Sequence, residues 1–237
     1  MKVCKVCGEE FTRQDSLTRH INTVCEPPEN WTRCPECHNH YKEIGNHYHF
    51  NNSHRPDITD KQKEIILGVL LGDGCVSKPS SGPPRFVVDM VSENYINYLK
   101  EKLQPFSKEI YQPPTVKDNH QQQYELRTIV HPALSEYRDW YSTGEKVYPE
   151  NIEITPTVLK NWYVTDGHLT NKYEYPSIRC WNERNNTEKV LSYFEDIPLT
   201  TTFSSGTIRF PGEKRNFFDY IGEPLPDFEY KWPNERY

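Results

Sequence analysis

The chain of 237 residues has no apolar run of the length a bilayer span needs, and its N-terminus, "MKVCKVCGEE", lacks the apolar core of a secretory signal. These absences predict a cytoplasmic protein with no membrane partner, so N-x-S/T matches such as Asn30-Trp31-Thr32 are expected to be idle. Apolar residues are scarce throughout, at 35% of the chain with a mean hydropathy of −0.88. Sixteen Tyr, ten Phe and five Trp compensate, because aromatic rings can build a core in an otherwise polar chain. Net positive charge is also missing. At a formal −6, bulk charge does not announce a nucleic-acid partner, and any phosphate-binding face must be a local cluster. An even disulfide framework is absent too: there are seven cysteines, five of them within the first 37 residues beside many histidines, a distribution that favours metal ligation.

In "CKVCGEEFTRQDSLTRHINTVC", Cys4 and Cys7 on a tight turn precede His20 and Cys25 on a helix, so four ligands can close a tetrahedron around a structural zinc. Phe11 and Leu17 stand where so small a module needs its core. A second copy, "CPECHNHYKEIGNHYHFNNSH", supplies Cys34 and Cys37 and a choice of histidines. Ligand spacing favours His49 with His54. Aligning the copies matches Leu17-x-x-His20 to Ile44-x-x-His47 and favours His47 with His54, with a distorted helix end filling the wider gap; the alignment is given the greater weight. His38 and His40 read as solvated loop residues. Residues 1–57 hold seven Lys or Arg against eight Asp or Glu, so the pair of fingers is no strong phosphate-binding arm. If the first finger reads DNA, residues near Arg13, Gln14 and Ser16 at the start of its helix would enter the major groove. The alternative is a zinc-stapled protein-contact or folding module. "EPPENWTR" and "RPDITD" read as the linkers that follow the two fingers.

Beyond residue 57, Thr59 and Gln62 form a capping-box signature that starts a helix through "KQKEIILGVLLGD". Gly68 and Gly72 lie on one face, where another helix can approach closely, and Gly74 is expected to end the helix. The arrangement recurs 93 residues later as "TPTVLKNWYVTDG", with Thr155 as cap, Pro156 at the first helical position and Asp166-Gly167 at the close. Two apolar helices, each ending in Asp-Gly, predict a packed pair with Asp73 and Asp166 side by side. Carboxylates that face each other at the negative ends of helix dipoles repel, and a divalent cation is the natural neutraliser. Few carboxylates, with the other positions left to water and substrate phosphate, suit Mg²⁺, or Mn²⁺, better than zinc.

"VLLGDG" and "LKNWYVTDG" resemble the paired signature motifs of LAGLIDADG homing endonucleases in their single-chain, two-repeat form, and "HPALSEYRDWYSTGEKVYPENIEITP" reads like the family's connecting stretch. The likeness covers about residues 60–225. The second motif differs in carrying Asn161 and Thr165 where small apolar residues are more usual. The resemblance implies an α+β fold of two pseudo-symmetric αββαββα repeats that form a saddle of antiparallel sheets, here preceded by two small zinc-finger modules. The expected domains are finger 1 at 1–27, finger 2 at 28–57, repeat 1 at 58–150 and repeat 2 at 151–237. The strand–helix–strand pattern after each motif, with Tyr95, Ile96, Leu99 and Leu103 on one helix face, agrees.

Carried over from the family, Asp73 and Asp166 would each bind divalent metal and position a water against one strand. Basic residues after the last strand of each repeat, Arg127 and Lys214 or Arg215, would stand near the developing charge. DNA would meet the concave strand faces, with Arg85, Gln121, Gln123, Arg127, Lys172, Arg179 and Arg209 as candidates. Cys75 and Cys180 lack partners at ligand spacing and read as small buried residues. The function implied is a site-specific, Mg²⁺-dependent DNA endonuclease, a monomer acting through its two repeats. It would make double-strand breaks with cohesive ends at a long pseudo-palindromic target in double-stranded DNA, with zinc fingers that aid binding or tether. The alternative is a non-cleaving regulator or RNA-splicing maturase on the same fold, which the cost of an idle carboxylate pair disfavours. The Met start and the ending "PNERY" argue against an intein remnant.

Overall fold

The computed structural model describes residues 1–233 apart from 24, 26, 30, 78–82, 115–120, 142–145, 170–174 and 213. The chain forms two compact units, Met1–Pro56 and Asp57–Tyr237.

The first unit is two ββα modules in tandem. One is built from β1 (Lys2–Val3), β2 (Glu10–Phe11) and α1 (Gln14–Thr23); the other from β3 (Thr32–Arg33), β4 (His40–Tyr41) and α2 (Ile44–Phe50). Cys4, Leu17 and Ile21 form the core of the first, with Phe11, Cys25 and Trp31 packed against them. His38 takes a left-handed φ of 61° at the place where the first module has Gly8, so it serves the tight turn and not the metal. The modules touch through Asn22, whose amide oxygen accepts from the His40 backbone N–H at 2.5 Å and whose amide group donates to the His40 carbonyl at 3.5 Å.

The second unit is organised around two helices, α3 (Asp60–Leu71) and α5 (Pro156–Asp166). Thr59 and Gln62 form the expected reciprocal capping box. Thr155 caps α5 by accepting from the Val158 N–H at 3.3 Å, with Pro156 in the first turn. The α3 helix ends at Leu71, three residues before the glycine expected to end it. The Gly72 and Gly74 N–H groups both fold back onto the Val69 carbonyl, at 3.1 and 2.8 Å, so the chain has already left the helix when it reaches Asp73. Asp166, by contrast, is the last residue of α5.

Each helix is followed by an antiparallel sheet. In the first repeat, β5 (Cys75–Ser77), β6 (Arg85–Met90) and β7 (Tyr124–Arg127) lie in that order, with α4 (Glu93–Lys102) between β6 and β7 in sequence. Isolated bridges from Ser107 to Thr128 and from Tyr111 to Glu125 supply a partial fourth strand beyond β7. In the second repeat, β8 (Gly167–Leu169), β9 (Pro176–Arg179), β11 (Thr207–Arg209) and β10 (Thr202–Ser204) lie in that spatial order, with α6 (Thr187–Ser192) between β9 and β10 in sequence. Strand orders therefore correspond between the halves, the first-formed strand at one edge and the third at the other. A 3₁₀ segment, Pro132–Tyr141, closes the first repeat and α7 (Lys214–Ile221) the second. Phe86, Val88 and Leu126 are buried on one face of the first sheet; Ile178, Phe203 and Ile208 are buried on one face of the second.

Candidate active site and nucleic-acid interface

The approach of α3 and α5 is a matter of missing side chains. A Cβ on Gly68 would lie 2.5 Å from the Val158 carbonyl oxygen and 2.7 Å from Asn161 Cβ, and one on Gly72 would strike the Thr165 side chain. Glycines of one repeat thus accommodate Asn161 and Thr165 of the other, the two positions where the second motif is polar. Their polarity is satisfied locally. The Asn161 amide donates to the Thr157 carbonyl at 2.9 Å and accepts from the Tyr95 hydroxyl at 2.9 Å, while the Thr165 hydroxyl donates back to Asn161 O and Trp162 O at 3.1 and 3.0 Å. Close packing tolerates both polar residues because Thr165 folds onto its own helix and Asn161 is shared between its own helix and Tyr95 of the first repeat.

This contact brings the acids together. Asp166 Oδ2 is 3.5 Å from where a Gly72 Cβ would sit, beside Asp73. Burial pushes the Asp166 carboxyl up to about 6 and the neighbouring Asp73 charge adds to the rise, against the pull of Lys146, Lys231 and Arg179. Burial raises Asp73 as well, opposed by the same two lysines.

Those lysines are the part of the site that sequence reasoning missed. Lys146 Nζ donates to the carbonyls of Leu70 and Gly72, at 2.8 and 2.5 Å, at the end of α3. Lys231 Nζ donates to the Val164 carbonyl at 2.7 Å near the end of α5. Each ammonium therefore occupies the negative end of one helix. Burial drives Lys231 down to about 8, with Asp166 and Asp73 holding it up, and lowers Lys146 against the attraction of Asp166. A signal was present: Lys146 lies in "KVYP" and Lys231 in "KWP", a lysine ahead of an aromatic residue and proline in both repeats. The aromatics correspond too, Tyr148 packing against Trp162 of α5 and Trp232 against Tyr163.

Of the cations proposed from the sequence, Arg127 is exposed and paired to Glu125, with 2.9 Å between Nη2 and Oε2. Arg215 pairs with Asp219 on α7 at 3.6 Å, and the Lys214 side chain lies outside the described residues.

Strand register sorts the candidate DNA contacts. Arg85 opposes Ser77, and Arg127 opposes Val87 next to Cys75, all away from the buried Phe86–Val88–Leu126 face. Arg179 opposes Thr207; Arg209 opposes Ser177 and Thr202; Ser177 in turn opposes His168. All four strand arginines thus share the open faces. Gln121 and Gln123 are exposed just before β7, and Lys172 lies outside the described residues. Asp89 and Glu125 share the first open face, whereas the strands of the second carry no acid. Burial, then Lys231, Arg179 and Arg209, lower the pKa of His168, whose Nε2 meets Ser177 Oγ at 3.0 Å.

In the first unit, Cys4, Cys7, His20 and Cys25 converge, as do Cys34, Cys37, His47 and His54, with all ligand atoms of each set within 4.8 Å of one another. Zinc bonds of about 2.0–2.3 Å require ligand atoms roughly 3.3–3.8 Å apart. The observed separations bracket that range: Cys7 Sγ–His20 Nε2 3.2 Å, Cys4 Sγ–Cys25 Sγ 3.9 Å, Cys37 Sγ–His47 Nε2 3.7 Å and Cys34 Sγ–His54 Nδ1 3.9 Å. The Cys7 backbone N–H pulls Cys4 down to about 6, in the range of a ready thiolate. Glu9 reaches His20 Nδ1 at 3.3 Å and fixes the ring for ligation through Nε2. His47, not His49, belongs to the second cluster, because α2 stops at Phe50 and a 3₁₀ turn, Asn52–His54, swings His54 back. Arg13 and Gln14 are exposed and Ser16 half-buried at the start of α1.

Two neighbouring carboxylates beyond the contact of α3 and α5, with arginines on the open sheet face of each repeat, complete the arrangement. The chain belongs to the LAGLIDADG DNA endonuclease family, whose model matches residues 63–205, more than half its length; residues 2–23 match the C2H2 type of zinc finger. The homing endonuclease I-WcaI, solved bound to its DNA recognition sequence, shares the fold, with a TM-score of 0.64 at 16% identity over 76% of this chain and 89% of that one. I-DmoI, solved with DNA and Mn, is similar at a TM-score of 0.40 and 17% identity, covering 75% of this chain and 98% of that one. The uncharacterized protein MJ1098 of Methanocaldococcus jannaschii is 25% identical over 120 residues, 48% of this chain. The match spans 46% of that relative's length. Among the described residues no helix is long and apolar enough to cross a membrane.

Proposed function

We propose that the chain is a site-specific DNA endonuclease making double-strand breaks at a long, pseudo-palindromic target, with Mg²⁺ or Mn²⁺ held by Asp73 and Asp166. The observation that carries this reading is the acid pair itself. Gly68 and Gly72 let the helices touch, and the result is an Asp166 carboxyl whose pKa is raised to about 6. A fold that brings two acids together at an energetic cost is suited to a divalent cation, and hard oxygen donors of this kind fit Mg²⁺ or Mn²⁺. Asp73 and Asp166 would hold such a cation, which would offset their charge and would make water a better nucleophile at neutral pH.

The chain's own groups do the rest. Asp73 and Asp166 orient the site from one helix end each. Lys146 and Lys231, anchored on those same ends, present positive charge where negative charge would develop on the phosphate oxygens during hydrolysis. Arg85, Arg127, Arg179 and Arg209 hold the duplex against the open faces. Zinc in each finger orders the first unit, which extends the footprint or tethers the nuclease.

The test is cleavage of a randomised DNA library with Mg²⁺ and with Ca²⁺, followed by sequencing of the ends. Mg²⁺ should yield a single class of ends from a long site. Asp73→Asn and Asp166→Asn should each abolish double-strand cleavage, and full cutting by both variants would remove the mechanism.

A further inference from the structure

Lys231 reaches the acid pair by a route that ties the two repeats together. Residues 223–233 leave α7 in the second repeat and lie against the start of α4 in the first. Asp227, in a left-handed conformation with φ 67°, accepts from Ser92 Oγ at 2.7 Å and from Asn94 Nδ2 at 2.8 Å. Ser92 is also the N-cap of α4, accepting from the Tyr95 N–H at 3.1 Å, so the Asp227 carboxylate sits at the positive end of a ten-residue helix. Phe228 then packs edge-on against Tyr95 at 5.4 Å. A 3₁₀ turn, Glu229–Lys231, brings the lysine round until its Nζ donates to Val164 O at 2.7 Å and its own carbonyl accepts from Tyr163 Oη at 2.8 Å. Trp232 finishes the segment, packed on Tyr163 and Phe218 and donating from Nε1 to the Gly222 carbonyl at 3.0 Å.

We infer that Asp227 is a positioning residue for cleavage: its clamp on the first repeat fixes the register of the C-terminal strap and so holds the Lys231 ammonium beside Asp166. The inference rests on the nuclease reading for its catalytic part and on geometry alone for the anchoring. Only three residues separate the clamp from the lysine, and the intervening turn is short, so a shift at Asp227 moves Nζ away from the α5 carbonyl it caps. Lys146 arrives by a different segment and keeps its two bonds to Leu70 and Gly72. Loss of the clamp should therefore weaken one of the two lysines and spare the other, and a nuclease with one impaired centre nicks before it cuts.

The experiment compares Asp227→Ala, Asp227→Asn and Asn94→Ala in the full-length, zinc-loaded chain. The first readout needs no activity: amide exchange across residues 228–232 should quicken on the order of ten-fold in Asp227→Ala, with α3 and α5 unchanged. The second is single-turnover cleavage of a supercoiled plasmid carrying the target. There, DNA affinity in Ca²⁺ should stay within about two-fold, while the nicked-to-linear step slows roughly ten-fold and nicked circles accumulate. Asp227→Asn, which keeps one acceptor, should recover part of the rate. Asn94→Ala should mimic Asp227→Ala more mildly and add nothing to it in the double variant. Unchanged exchange in Asp227→Ala overturns the anchoring, and equal slowing of both strands with a lowered melting temperature reduces Asp227 to a structural role. A wild-type chain that cuts no DNA defeats the nuclease reading and the catalytic part of the inference, while the exchange result still decides the anchoring.

Discussion

At the scale of single residues, the site has an inbuilt tension that can be measured. Asp166 has a pKa of about 6 in the folded protein against 3.8 in an unstructured chain. Between those values the folded state keeps a proton that the unfolded state has lost, so stability falls as pH rises through that window and the full penalty is present above it. Asp166→Asn removes the penalty. In zinc-replete, Mg²⁺-free buffer at pH 7.5 the variant's nuclease unit should be more stable than wild type by about 1–2 kcal/mol, with the advantage vanishing near pH 4, as read by urea denaturation. Equal stability at pH 7.5 would mean that neither burial nor the Asp73 charge strains the ionised Asp166. The acids were legible in the sequence because each comes at or just after the end of an apolar helix and the pattern repeats. The lysines were not, because they come from connecting segments whose only shared mark is a lysine before an aromatic residue and proline; nothing periodic says that such a segment turns back to a helix end. Lys231→Met and Lys146→Met should each slow cleavage at least ten-fold with DNA affinity within about two-fold, in single-turnover assays.

At the scale of elements, the α3–α5 contact depends on asymmetry between pseudo-equivalent positions. Gly68 corresponds to Asn161 and Gly72 to Thr165, so the room left by one repeat is taken by the other. Capping residues and glycine spacing made the helix pair readable, but not where α3 stops, because the backbone at Gly72 is fixed by contact with α5 and not by local propensity. Gly68→Ala places a methyl group 2.5 Å from a backbone oxygen that cannot rotate away, and it should destabilise the second unit by roughly 2 kcal/mol or more. Thermal melting of the variant would show it. The sheets also differ in charge. Arg127 faces Glu125 and shares its surface with Asp89, while Arg179 and Arg209 have no acid on their strands. Neutralising Arg179 or Arg209 with Gln should each lower the slope of log affinity against log salt by about 1, whereas Arg127→Gln should change it less, since Glu125 already offsets that charge.

At the scale of the whole molecule, the chain contains two folding economies. The first unit has a very small apolar core, in its first module Cys4, Leu17 and Ile21 with three flanking residues, too little to stand without a staple. Two four-ligand clusters of zinc geometry supply it, and Asn22 joins the modules by pairing both backbone groups of His40. The second unit needs no such help, with many large side chains fully buried, among them Phe86, Leu99, Leu126, Trp162, Ile178, Ile208 and Phe217. Removing zinc should therefore unfold residues 1–56 and leave 57–237 standing. A chelator strong enough to strip thiolate-bound zinc should abolish a low-temperature transition, and the chain should keep the sheet and helix signal of the larger unit in circular dichroism. Asn22→Ala tests the joint between the fingers: if the two modules fold as one body, the two zinc ions should be released at a single chelator concentration in wild type and at two in the variant. Biphasic release from wild type would make the fingers independent beads, and Asn22 an incidental contact.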